Sequence, residues 1–319
     1  MISENIEMSE TELKFKKLFD EKLSGTLSTY EAERVSTLHE VLITIPVLLI
    51  IGSVLVALSF YLQSLSVWTY VVATVALFGI IFLVGACFVY SGAKKTFENK
   101  IKKKIMPKIL KLFGDLEHTN KAYIRDFDFE KSYVVPQFTQ FKTDDIITGT
   151  YNDVNVDIIE AELTQKEGKY EGIVFDGIIL MLDFNKSINS SNIIVTSKSR
   201  PLRYFRDFSK FKKIKLEDIK FRKLFSVYSN DEVESRYVLT TAFMERLNNM
   251  KFAFKADNIT MAFYEDKLYI SIYTEKDMFS VASLIKPLSE YKQYATMFKQ
   301  IESVLAIIDL LKLNQKIGL

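Results

Sequence analysis

From residue 41 to residue 93 the chain runs for 53 residues without an aspartate, glutamate, lysine or arginine. A polar break at residues 63–66 divides the run into two segments, 41–62 with 22 residues and 67–90 with 24. At about 1.5 Å rise per residue each is long enough for a hydrocarbon layer of ~30 Å. The pattern therefore predicts a two-helix transmembrane hairpin, with Tyr61, Trp68 and Tyr70 of the tip "FYLQSLSVWTY" at headgroup depth. A soluble helix of this length would need a solvated face, and this run offers none. Pro46 falls in the first turns of the first span, where a missing amide is least harmful. Gly52, Gly79 and Gly85, with Ser53 and Ala57, predict close backbone packing inside the hairpin.

Helical periodicity continues on both sides. In "SETELKFKKLFDEKLSG", Ser9 and Glu12 form a capping box, Phe15, Phe19 and Leu23 share a face, and Gly25 marks the end, after which Ser28 and Glu31 restart a helix. After the spans, "AKKTFENKIKKKIMPKILKLFGDL" predicts a helical extension with Ile101, Ile105, Ile109 and Leu112 on one stripe and a kink at Pro107. Beyond it the period changes to two. "VNVDIIEAEL", "GIVFDGIILMLDF" and "SNIIVTS" read as an antiparallel meander, "KKIKL" and "LFSVYS" as strands, and "NITMAFYEDKLYISIY" as a hairpin turning at residues 265–267. Residues 240–250 read as a short helix with Phe243 and Leu247 inward. A final helix opens at Pro287 and runs to about Leu313, with Phe298, Ile301, Leu305, Ile308 and Leu311 as its stripe.

The predicted class is α+β: N-terminal helices (1–40), the hairpin (41–90), a basic juxtamembrane helix (91–119) and an antiparallel α+β domain closed by a C-terminal helix (120–319).

Charge sharpens this picture. The formal net charge is only +2, yet residues 94–125 carry ten basic and three acidic side chains, whereas the tip of the hairpin carries none. Lysines flanking a span mark the cytoplasmic side, so both termini and the C-terminal domain are expected in the cytoplasm, with the tip outside. Lys100, Lys102, Lys103 and Lys104 are candidate contacts for anionic lipid headgroups. No nucleic acid is expected, because the basic run is tethered beside the membrane and few aromatics interleave it.

Chemistry is sparse. One cysteine, Cys87, and two histidines, His39 and His118, make poor material for a disulfide, a metal centre or a catalytic relay, and no cofactor motif occurs. Asp126, Asp128 and Glu130 share a predicted strand face, as do Glu160 and Glu162. Such carboxylates serve a cation or acid-base chemistry when buried, and an ordinary solvated face otherwise.

Three segments carry a family resemblance: "FDGIILMLDFNK" (175–186), "FSVYSNDEVESRYVLTTAFMERL" (225–247) and "DKLYISI" (266–272), with a late "LNQKI". They resemble the bacterial membrane proteins grouped as domain of unknown function 3137, over roughly residues 120–319. Asp176 departs from the basic or polar residue expected before the glycine. The resemblance implies a multi-pass protein of the bacterial inner membrane and brings no activity or catalytic residue. Asp183, Asn185 and Lys186 at the end of the first segment are candidates for a ligand contact or a structural turn. Asn230 or Asp231 is suited to cap the turn holding Glu234 and Arg236. The reading that follows is a membrane-tethered binding or scaffolding module with lipid and protein partners, its oligomeric state unspecified. The alternatives are an oligomeric pore lined by Thr44, Ser53, Ser59 or Thr74, and a membrane-associated enzyme using carboxylates.

Overall fold

The computed structural model describes residues 10–64, 68–119, 131–168, 170–184, 193–197, 210–254, 258–274 and 278–313. The chain forms two compact units, one of Met1–Ile105 with Ser280–Thr296 and one of Met106–Phe279 with Met297–Leu319.

In the first unit, α1 (Glu10–Leu18) passes through one π-helical turn, Phe19–Leu23, into α2 (Ser24–Ser64). The break expected at Gly25 does not occur. Phe15, Phe19, Leu23 and Leu27 form one buried stripe across it, and the rings of Phe15 and Phe19 lie 5.1 to 5.7 Å from those of Tyr291 and Tyr294. Burying each such side chain contributes ~1.5–3 kcal/mol, which outweighs the ~1 kcal/mol that a glycine costs inside a helix. Ser28 caps nothing: its hydroxyl donates to the Gly25 carbonyl at 2.8 Å. Pro46 consequently lies deep inside α2, not near a helix start.

The second long helix is α3 (Thr69–Leu110). Both long helices are long and apolar enough to cross a membrane, and only 11% of the most apolar window of each is buried. Ile50, Val54 and Phe60 of α2 and Ile80, Ile81 and Phe88 of α3 are exposed. The two cross at glycines. A Cβ on Gly52 would sit 2.9 Å from the Gly79 carbonyl oxygen, and one on Gly79 would sit 3.0 Å from that of Gly52. Gly85 has open space around it and takes no part in the crossing.

In the second unit α3 ends at Leu110 in a turn, with Leu112 and Phe113 donating to the carbonyls of Ile109 and Leu110. The expected basic helix therefore stops short of residue 119, and β1 (Asp115–Thr119) takes its last five residues. Then follow β2 (Gln140–Tyr151), β3 (Val154–Glu167) and β4 (Tyr170–Asp183), the predicted meander. Asn152 and Asp153 both take positive φ at the first hairpin turn, as a tight turn between twisted strands requires.

The order continues β5 (Ile193–Ser197), β6 (Lys212–Ile214), α4 (Ile219–Leu224), β7 (Phe225–Ser229), α5 (Glu232–Val238), α6 (Thr241–Phe254), β8 (Ile259–Tyr264), β9 (Lys267–Tyr273) and α7 (Tyr291–Leu311). Helix α7 starts one turn later than Pro287. The Pro287 carbonyl instead accepts from the Glu290 amide, closing a turn before the helix.

The described strands form one nine-stranded sheet in the order β1-β2-β3-β4-β9-β8-β5-β7-β6, antiparallel throughout. Both faces are covered. One buries Ile159, Ile179, Ala262 and Tyr269 against Val134 and Val135. The other places Phe263 of β8 against Phe243 of α6, 5.8 Å between ring centroids. The C-terminal half of α7 is buried along Phe298, Ile301, Leu305 and Ile308, and Asp309 accepts hydrogen bonds from Tyr151 and Asn152 at 2.8 and 2.7 Å. Burial and this hydrogen bond push the Tyr151 phenol up to about 12.

Candidate functional site

The basic stretch of α3 is shaped by a wider buried face than its isoleucines suggest. Phe97, Glu98, Ile101, Lys102, Ile105, Met106, Ile109 and Leu110 are all buried, two adjacent rows at helical spacing and not one. Lys102 therefore points inward, 5% exposed. Its neighbour one turn earlier, Glu98, accepts hydrogen bonds from the Ser280 hydroxyl and from the Val281 amide at 3.2 Å. Lys100 is exposed but held: its ammonium lies 2.6 and 2.7 Å from the two carboxylate oxygens of Glu33 and over the Tyr30 ring. Of the four candidate headgroup lysines, Lys103 and Lys104 are exposed.

The candidate at the end of β4 is only partly placed. Asp183 accepts from the Asn155 amide at 2.6 Å, tying the ends of β3 and β4 together. Asn185 and Lys186 lie outside the described residues, as do Asp126, Asp128 and Glu130.

Glu160 and Glu162 do not act as a pair. Glu160 is buried and accepts from the Met278 amide at 2.7 Å. Glu162 takes Lys142 at 2.9 Å, an interaction that raises the lysine above its ordinary pKa. Each carboxylate is thus engaged in holding the fold.

The segment 229–236 is structural as well. The Asp231 carboxylate accepts from the Glu234 amide at 2.9 Å and so caps α5. Arg236 reaches back to Glu217 and to the Lys215 carbonyl, fastening α5 to the connection that follows β6. Of the two capping candidates, Asp231 supplies the cap.

One pairing was missed from the sequence. His118 of β1 and Asp145 of β2 lie 2.7 Å apart, Nε2 to Oδ1, with side chains only 3% and 1% exposed. Asp145 sits where the β2–β3 register shifts between Thr143 and Ile146, and such a bulge re-aims a side chain. The only signal was a lone histidine in "DLEHT" 27 residues before an Asp-Asp pair, which has no motif spacing. The pair joins the edge strand β1 to β2.

No curated protein and no solved structure matches the chain. The family match begins later than residue 120 but takes in all three quoted segments: residues 173–313 match the model described as "Protein of unknown function (DUF3137)", and the chain resembles that family over this stretch.

Proposed function

We propose that the chain is a two-span integral membrane protein of the bacterial inner membrane, which holds its α+β domain at the cytoplasmic surface as a binding or scaffolding module. The observation that carries this reading is that only 11% of the apolar window of each helix is buried, where a soluble core helix would be enclosed. The lysines in the C-terminal part of α3 and the uncharged tip support an inward placement of both ends. Cysteines at Ser64 and Ser289, in a chain whose Cys87 is replaced, test it in intact cells with a membrane-impermeant thiol reagent. The expected result is labelling at residue 64 and protection at 289. Labelling at 289 alone reverses the topology and removes the cytoplasmic assignment.

A binding module is favoured over a pore by the hydroxyls of the spans. The Ser59 hydroxyl donates to its own helix at the Val56 carbonyl, 2.7 Å away, and Thr74 donates to the Tyr70 carbonyl. Neither offers a polar path.

The same reading places Lys103 and Lys104 at the lipid surface. Replacing both by glutamine is expected to weaken association with anionic lipid by about 1 kcal/mol per lysine. Native mass spectrometry of the purified chain with bound phosphatidylglycerol measures this. Lys102→Gln is the contrast, since replacing this buried lysine is expected to lower the melting temperature and leave lipid retention alone. Equal lipid retention by the double variant and the wild type would mean that these lysines set orientation only.

A further inference from the structure

The basic residues with no role so far lie at the other edge of the sheet. Between β6 and β7 a cavity of about 340 Å³ opens beside α4, lined by Lys213, Lys215 and Arg222 together with Phe221, Phe225 and Val227 among its apolar residues. This size is in the range of small-ligand sites, ~300–1,000 Å³.

The local chain explains why cations and aromatics meet here. Strand β6 pairs with β7 only through residues 212–214, so the chain leaves the sheet at Lys215. Asp218 then accepts from the Phe221 amide at 2.9 Å and starts α4, which returns over the edge. Phe221 and Phe225, 0% and 2% exposed, stack at 5.1 Å between centroids and back the cavity as an apolar base, with the Lys251 ammonium over the Phe225 ring.

Among the described residues no carboxylate lines the cavity. Of the two acids on the connection, Asp218 caps α4 and Glu217 is taken by Arg236, which also binds the Lys215 carbonyl and so holds the rim in place. Arg222 is not locked into an internal ion pair among the described residues, and its Nε is buried without a hydrogen-bond partner there. A buried N–H without an acceptor is unfavourable, which favours rearrangement onto an incoming oxygen. Three cations over an apolar base match a group with about two negative charges attached to an apolar or aromatic body. A phosphate monoester carries about −1.5 to −2 near neutral pH, whereas a carboxylate carries one charge.

We propose that this cavity is a binding site for a phosphate monoester with an apolar or aromatic body, its phosphate held by Arg222, Lys213 and Lys215 and its body entering the cavity that Phe221 and Phe225 line. Such a group occurs on a soluble nucleotide and on a phosphatidic acid headgroup.

The test uses the full chain in a neutral maltoside detergent and the fluorescent probe 4-methylumbelliferyl phosphate, followed by anisotropy. Saturable binding of about one probe per chain is expected at this cavity, with 4-methylumbelliferone at least tenfold weaker because it lacks the dianion. Arg222→Gln should weaken the probe about tenfold or more, and so should Lys213→Gln combined with Lys215→Gln. The two lysines are exposed, so their double variant keeps the wild-type melting temperature and guards against a folding artefact at Arg222. Adenosine monophosphate and dihexanoyl phosphatidic acid then compete separately. Displacement by the first assigns a soluble source, and by the second a lipid. The proposal is overturned by absent or non-saturable binding, by equal affinity for umbelliferone, by an unchanged lysine double variant, or by displacement with neither competitor.

Discussion

Gly177→Ala is expected to disrupt the sheet at its centre. A Cβ at this position would lie 2.1 Å from the Ile272 carbonyl oxygen and 3.0 Å from the Tyr273 Cα, both backbone atoms of the paired strand β9. Ordinary carbon–oxygen contact is above 3 Å, so one strand must move by about 1 Å, and the neighbouring hydrogen bond from the Thr274 amide to the Asp176 carbonyl moves with it. The pair β4–β9 joins the meander to the remaining strands, so the displacement is shared with both halves of the sheet. A loss of about 3 kcal/mol, the upper end for overpacking, is expected. Gly172→Ala is the control on the same strand: nothing lies within 4 Å of its added Cβ, and it should change stability by less than ~0.5 kcal/mol. Urea denaturation of the purified chain followed by β-sheet circular dichroism compares them. Equal midpoints for the two variants would contradict this account of the strand contact.

Gly177 also shows where sequence reading reaches and where it stops. The run "FDGIILMLDF" is apolar enough to predict a buried strand, and β4 runs through it, but the glycine's purpose lies in the backbone of β9, about a hundred residues away. The same division recurs elsewhere. Period-two runs and turn residues made the meander and the 259–273 hairpin legible, because both signals are local. The N-terminal break at Gly25 was misread because local helix propensity is weak beside a stripe whose partners, Tyr291 and Tyr294, are distant in sequence. Lys102 was misplaced for a related reason: a lysine beside an isoleucine stripe looks solvated until a second buried row is seen. Among the candidate site residues, the acidic ones within reach were visible as residues but not as partners, since Glu160 and Glu162 share a strand face and yet bind different elements. The cavity beside α4 was signalled only by the density of lysines in "KKIKLEDIKFRKLF", and charge density does not reveal which cations face one space.

Arg34→Met is expected to release the segment that precedes α7. Arg34 is 6% exposed on α2. Its guanidinium donates to the carbonyls of Leu284 and Ile285 at 2.7 and 3.3 Å and to one Glu31 oxygen at 3.0 and 2.7 Å. The other Glu31 oxygen accepts from the Leu288 amide at 2.9 Å. One ion pair thereby satisfies backbone groups of a stretch that has no strand or helix of its own. Methionine fills the space of the aliphatic stem but leaves two carbonyls and a carboxylate without their donor. Removing one partner of a buried pair costs ~3–5 kcal/mol, and the lower end is expected here because Glu31 reaches water. The Arg34 hydrogen bond lowers the Glu31 pKa below its ordinary 4.5, against the opposing effect of burial, with the Leu288 amide assisting. The stabilisation tied to that shift is therefore complete above pH 4.5 and is lost as pH falls through the lowered value. Wild-type protein should lose protection of the Leu288 amide in that acid range, while Arg34→Met should lack the protection already at pH 7. Hydrogen exchange read by mass spectrometry over residues 284–288 separates the two. Lys100→Gln, which removes the exposed pair with Glu33, should change stability by less than ~1 kcal/mol. If Arg34→Met leaves exchange over residues 284–288 and the melting temperature unchanged, the carbonyl contacts do not hold this segment.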